Sequence, residues 1–220
     1  MKTVAIIPIK LNSQRVKGKN FRLVNGVPLY KYLLNKLNKC NFNEVYVDSD
    51  SEEIEVYCRD MGFNFIPRLD RLKLDSSNGN DLLKYHSEII EADFYFQLFV
   101  TAPLLSIESI NNCIKILQES KVHDSIFTVT HNHTWFWFNN QPVNYDPKVL
   151  PRSQDALPLI SETTGLYGIA KKNNNPITCR IGDSPCMYKV DKIEAIDLDT
   201  EFDFNYLEYY VNNNLHCAKY

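Results

Sequence analysis

The sequence predicts an α/β protein built on a doubly wound, mostly parallel sheet, with a small projecting arm. Three observations predict it. TVAIIPI (3–9) is a continuous apolar run, the pattern of a strand buried on both faces. Short apolar runs then alternate with segments of helical spacing as far as residue 130. The alternation breaks over 131–164, where aromatic residues, an Asn-Asn pair and prolines replace it.

The elements follow in order. After the first strand comes a basic loop, KLNSQRVKGKN (10–20). A helix follows, with Leu29, Leu33 and Leu37 on one face and Pro28 near its start. EVYVDS (44–49) is the second strand, and 51–61 is a helix with Ser51 as N-cap and acidic residues in its first turn. The pattern continues with a strand at 63–67, a helix at 80–92, a strand at 94–100, a helix at 106–120 and a strand at 124–130. Residues 131–164 read as an arm, and 165–172 and 186–190 as returning strands with a turn at NNNP between them. The end reads as a short strand, an acidic cluster and a helix capped by Thr200, with Glu201 and Asp203 in its first turn.

Bulk properties narrow the function. The 220 residues suit a single domain (1–220) carrying the arm as an appendage. A net charge of −3 gives no general attraction to nucleic acid or to a membrane surface. No apolar run reaches the ~20 residues of a membrane span, and the start lacks a secretory pattern. Cys40, Cys58, Cys113, Cys179, Cys186 and Cys217 form no CxxC and read as reduced thiols of a cytoplasmic protein.

Ligands of open α/β sheets bind at the carboxyl ends of the strands. Four polar features fall there: the basic loop, DSD (48–50), TAP (101–103) and DLD (197–199). Lys10, Arg15 and Lys19, with Asn12, Ser13 and Asn20, suit a triphosphate held by side-chain charge rather than by a Gly-rich cradle. A solvated basic loop is the plainer alternative. Asp197 and Asp199, at i and i+2 of an extended segment, point to one side and suit a shared Mg²⁺; a simple loop before a helix cap is the alternative. The HNH string (131–133) lacks a nearby ligand cluster and does not read as a metal site. Trp135 and Trp137 suit arm packing or a contact between subunits.

IIPIKLNSQRVKGKN at the start and IDLDTEFDF (196–204) near the end resemble the CMP-acylneuraminate (CMP-sialic acid) synthetases and related nonulosonic acid cytidylyltransferases. VDSD (47–50), RLDRLKLDSSNG (68–79), FVTAPLL (99–105) and PRSQDALP (151–158) resemble looser landmarks of that family, in the same order. The resemblance implies a three-layer α/β/α fold of the nucleotide-diphospho-sugar transferase kind. It implies CTP and an acidic sugar as substrates, Mg²⁺ as cofactor, and a homodimer built through the arm. Lys10, Arg15 and Lys19 then carry the phosphate chemistry. Asn12, Ser13, Asn20, Arg68, Ser77 and Gly79 contact the nucleotide, and Asp197 and Asp199 hold the metal. Phe99, Thr101, Arg152, Gln154 and Thr164 fall on the acceptor side, with Arg152 and Gln154 reaching toward the neighbouring subunit.

The sequence departs from the family pattern at Gln14-Arg15, where a Lys precedes the mid-loop Gly. Phe99 replaces a Gln, Leu105 an Arg and Thr164 an Asn. Apart from the first, these departures cluster on the acceptor side, so the expectation is CTP use with a non-standard acidic or phosphorylated acceptor. A glycosyltransferase and a catalytically silent nucleotide-binding protein are the rival readings.

Overall fold

The computed structural model describes residues 1–13, 16–172 and 176–213. In chain order the elements are β1 (Thr3–Ile9), β2 (Leu23–Val24), β3 (Val27–Pro28), α1 (Leu29–Leu37), β4 (Glu44–Ser49), α2 (Glu52–Met61) and β5 (Asn64–Pro67). There follow α3 (Asp70–Lys73), α4 (Gly79–Ile89), β6 (Phe94–Leu98), α5 (Ile107–Glu119), β7 (Ser125–Asn132), β8 (Trp137–Phe138) and β9 (Gln141–Pro142). The chain closes with β10 (Leu159–Ala170), β11 (Pro185–Lys189) and α6 (Glu201–Asn212).

The main sheet has the order β11-β7-β10-β6-β1-β4-β5. β10 pairs antiparallel with both β6 and β7, while the other neighbouring pairs are parallel. β1 explains the layering: its Ala5, Ile7 and Ile9 pack into the core beneath α1, α2 and α5, and Val4 and Ile6 pack into the core beneath α4. A strand sandwiched in this way has no polar face, as the apolar run predicts. The chain winds outward from β1 through β4 to β5, then returns to place β6 on the other side of β1. The loops leaving β1 and β6 therefore diverge at the switch point of the sheet, where a crevice opens.

Local chemistry sets the helix ends. The side chain of Asn78 accepts from the Asn80 and Asp81 amides and completes a capping box with Asp81 at the start of α4. Thr200 does the same with Asp203 at the start of α6, as the sequence predicts. Ser51 stands at the N-cap position of α2, but its side chain makes no capping hydrogen bond.

Three expectations shift. The helix expected over 80–92 ends at Ile89, because the Tyr95 hydroxyl donates to the Ile90 carbonyl (2.6 Å) and accepts from the Ala92 amide (3.1 Å). The returning strand begins at Leu159 rather than 165: Leu159 and Ile160 pair with Asn132 and His131, so β7 and β10 run outward as a ribbon that carries the arm. The short strand expected before the acidic cluster does not form. Asp191 instead accepts from the Ile193 and Glu194 amides in a turn, and the segment is tied to the sheet by Leu198 N–H donating to Thr101 O at 2.9 Å. At the arm tip, Asn139 and Asn140 have φ of 47° and 61° and turn the β8–β9 hairpin.

Candidate active site

A cavity of about 520 Å³ opens at the switch point. The loop after β1 gives it Lys10, Asn12, Ser13, Lys19 and Asn20. The segment between β5 and α4 gives Arg68 and Ser77, the β6 end gives Phe99 and Thr101, and β10 gives Thr164. Asp197 and Asp199 arrive from the loop before α6. Three of the four polar features that the sequence places at strand ends, the basic loop, TAP and DLD, thus contribute to one cavity; DSD does not line it, and its Asp48 lies buried against Arg68.

Specific bonds hold this arrangement. Lys19, largely buried, donates to Asp199 Oδ1 at 2.9 Å and joins the two ends of the chain across 180 residues. The Asn20 amide donates to the Lys10 carbonyl at 2.8 Å, which folds the loop back on itself. Lys10 Nζ pairs with Asp75 at 2.8 Å, across the mouth of the cavity. Asp197 Oδ1 is buried and has no hydrogen-bond partner among the described residues. A buried, unsatisfied carboxylate oxygen is costly unless a cation or donor completes it.

Below Arg68 lies a buried network. Its guanidinium Nε donates to Asp48 Oδ1, its Nη2 donates to the Asp48 carbonyl at 3.1 Å, and His86 Nε2 lies 2.8 Å from Asp48 Oδ2. Burial, the largest influence on the Asp48 carboxyl, pushes it upward. The His86 hydrogen bond and the Arg68 charge outweigh burial and hold it below the ordinary carboxylate range. Arg68 therefore faces the cavity with a fixed orientation.

The loop after β6 has a second buried support. Lys36 of α1 donates to the carbonyls of Pro103 (2.7 Å) and Leu105 (3.1 Å). Burial lowers its amine to about 8, against a smaller opposing influence of Glu194. Glu194 itself accepts from the Ser106 amide and the Ser109 hydroxyl.

Other predicted residues fall differently. Arg15 lies outside the described residues. Gly79 opens α4 beside the cavity. Arg152 and Gln154 are exposed on the arm, where Arg152 pairs with Asp155 at 2.6 Å; they stand apart from this chain's cavity. Arg180, which sequence reasoning missed, lines the cavity from the loop between β10 and β11. His86 and Lys36 were missed as well, and Asp48 was noted only as part of DSD, without a role. Nothing local marks a buried His or Lys.

No group of three or more His, Cys, Asp or Glu able to hold a metal ion occurs among the described residues. Two neighbouring carboxylates, one with an orphaned buried oxygen, nevertheless suit a hard cation that takes its remaining ligands from phosphate and water.

Known proteins resemble this chain in sequence and in fold. The family model described as cytidylyltransferase matches residues 4–213. N-acylneuraminate cytidylyltransferase A of Danio rerio is 25% identical over 210 residues, covering 91% of this chain and 48% of that protein. A Helicobacter pylori protein named pseudaminic acid cytidylyltransferase and UDP-2,4-diacetamido-2,4,6-trideoxy-beta-L-altropyranose hydrolase is 27% identical over 135 residues, covering 58% of this chain and 26% of that one. The chain thus spans about half or less of the length of these relatives. A solved CMP:2-keto-3-deoxy-manno-octonic acid synthetase complexed with CTP shares the fold, with a TM-score of 0.70 at 15% identity, covering 97% of this chain and all of that one.

Proposed function

The chain belongs to the cytidylyltransferase family, and from that premise we propose that it transfers CMP from CTP to an acidic sugar and releases pyrophosphate. The observation that carries this reading is the Lys19–Asp199 contact, which joins a cationic loop and a carboxylate pair at one cavity. An acceptor oxygen attacks the α-phosphorus in line. Lys10 and Lys19 offset the negative charge of the phosphates as pyrophosphate leaves, and Arg15 adds to it from the same loop. Asn12, Ser13, Asn20 and Ser77 orient the nucleotide, and Arg68 does so from its fixed seat. Asp197 and Asp199 would hold Mg²⁺, whose chemistry when bound is to withdraw charge from the phosphate oxygens.

Phe99, Thr101 and Thr164 form the wall where the acceptor sits. An apolar ring and a hydroxyl there favour an acidic sugar other than a standard sialic acid. The arm exposes Trp137, Phe138 and Ile160, an apolar surface that a second copy of the chain covers in a homodimer, with Arg152 and Gln154 facing the partner's cavity. A cytoplasmic location fits a substrate drawn from the nucleoside triphosphate pool; among the described residues no helix is long and apolar enough to cross a membrane.

The test is pyrophosphate release from each of the four nucleoside triphosphates with a panel of nonulosonic and 2-keto sugar acids. CTP-dependent release with at least one acid is expected, and Lys19→Ala should lower it about 10²-fold. Release from a preformed sugar nucleotide without pyrophosphate would identify a glycosyltransferase. CTP binding without turnover on any acid would identify a silent binding protein.

A further inference from the structure

Among the described residues four cations line the cavity, and three of them have close carboxylate partners. Lys10 meets Asp75 at 2.8 Å, Lys19 meets Asp199 at 2.9 Å, and Arg68 is locked onto buried Asp48. Arg180 is held differently. Its guanidinium carbon sits 3.6 Å from the centroid of the Tyr167 ring, and its Nη2 reaches Glu162 Oε1 only at 3.5 Å. That distance lies beyond ordinary hydrogen bonding. Glu162 Oε1 already accepts the Tyr167 hydroxyl, so this oxygen has a nearer donor.

We propose that Arg180 receives the carboxylate of the sugar acceptor and so sets this enzyme's selectivity for acids; the proposal rests on the cytidylyl transfer reading above. Its position favours that role over a phosphate contact. Lys10 and Lys19 belong to the loop after β1, whereas Arg180 stands over Tyr167 of β10, which packs edge-on against Phe99 at 6.3 Å between ring centroids. Phe99, Thr164 and Arg180 thus share one wall of the cavity. Stacking on Tyr167 fixes the plane of the guanidinium and leaves its edge for a bidentate carboxylate contact.

The surroundings are shaped for this side chain. A Cβ on Gly79 would lie 2.8 Å from Arg180 Nη1, so the bare Cα of glycine makes room for the guanidinium. Gln97 Oε1 lies 3.3 Å from the same Cβ position, buried and without a hydrogen-bond partner among the described residues. The Gln97 amide is aimed by its own Nε2, which donates to the Gly79 carbonyl at 3.0 Å. The Arg180 amide donates to Asn80 Oδ1 at 3.0 Å, which pins the loop to the start of α4. Arg180 is therefore oriented by its neighbours while its charge is only loosely compensated.

Calorimetry on the full chain, wild type against Arg180→Gln and Arg180→Lys, tests the proposal. The probes are CTP with Mg²⁺ and, in the presence of CMP, N-acetylneuraminate, pseudaminate and 2-keto-3-deoxy-manno-octonate, each beside its primary carboxamide. Wild type should bind at least one acid about tenfold or more tightly than the amide, as a charge-assisted bidentate contact implies. Arg180→Gln should erase most of that preference, Arg180→Lys should keep part of it, and CTP affinity should stay within about threefold of wild type in both. An acid preference that survives in Arg180→Gln would overturn the proposal. So would a parallel loss of CTP affinity, or a wild type with no acid preference. Pyrophosphate release separates the two levels: turnover of CTP with an acid, unaffected by Arg180→Gln, would sink this assignment alone, and failure of wild type to bind CTP would sink the transferase reading with it.

Discussion

Asp48→Asn offers the sharpest test of how the cavity floor is built. The Asp48 side chain is fully buried and that of Arg68 is 3% exposed, and His86 shares the same carboxylate from a fully buried position. The substitution leaves the guanidinium beside a neutral amide in a site water does not reach. Removing one partner of a buried ion pair costs about 3–5 kcal/mol. In a chain of this size each kcal/mol lowers the melting midpoint by roughly 2–4 °C, so the midpoint should fall by about 6–20 °C. The assay is a thermal melt followed by circular dichroism at neutral pH. Adding Arg68→Met removes the stranded charge, so Asp48→Asn/Arg68→Met should be more stable than the sum of the two single variants predicts. A fall of less than about 2 °C for Asp48→Asn, or strict additivity in the double variant, would refute the reasoning. The acid limb gives an independent check. A carboxyl held below its ordinary range contributes stability that is fully present above its unfolded value, about 3.9, and is lost as pH falls through the folded value. Asp48→Asn should therefore flatten the acid limb relative to wild type.

Two further outcomes follow from the same structure. Burial lowers the Lys36 amine to about 8, so between there and the ordinary lysine value of 10.5 the unfolded chain binds more protons than the native one. Wild-type stability should rise relative to Lys36→Met as pH goes from 8 to about 9.5, read from urea midpoints at each pH. For the proposed metal pair, Asp199→Asn should raise the Mg²⁺ concentration needed for half-maximal turnover by about tenfold or more, and paramagnetic relaxation with Mn²⁺ should show a matching loss of binding; an unchanged requirement on both readouts would remove Asp199 from the metal site.

What was legible in the sequence was either local or topological. TVAIIPI announces a doubly buried strand because both of its faces are apolar, and Thr200 followed by Glu201 and Asp203 announces a helix start because a cap and first-turn carboxylates are local signals. Lys19 and Asp199 stand 180 residues apart, yet their place at one sheet edge was expected, because strand ends in such a sheet converge on the switch point; their direct contact was not. The start of β10 was hidden because ISETT carries no apolar alternation; it is a strand only because 131 and 132 of β7 are there to pair with Leu159 and Ile160. Lys36, His86 and Arg180 were hidden for a related reason. Each owes its place to partners on other elements: the Pro103 and Leu105 carbonyls, the Asp48 carboxylate, the Tyr167 ring. A lysine on an amphipathic helix reads as solvent-facing until its carbonyl partners are known.

The charge pairs of the cavity also differ in how readily a ligand can take them over. Lys10 and Asp75 are 30% and 59% exposed, and a pair so open to water is worth about 0–1 kcal/mol. Lys10 can therefore turn to a phosphate at little cost. Lys19 is 9% exposed and Asp199 30%, so their separation costs more unless the phosphate and a cation replace both partners together. Such coupled replacement would make triphosphate and metal binding cooperative at this pair. Arg68 cannot exchange at all without stranding Asp48, so any contact it makes to the nucleotide adds to its buried pair and does not replace it. Lys10 thus supplies an exchangeable charge and the β5–α4 segment supplies a fixed one, and a substrate that engages both must accommodate itself to Arg68.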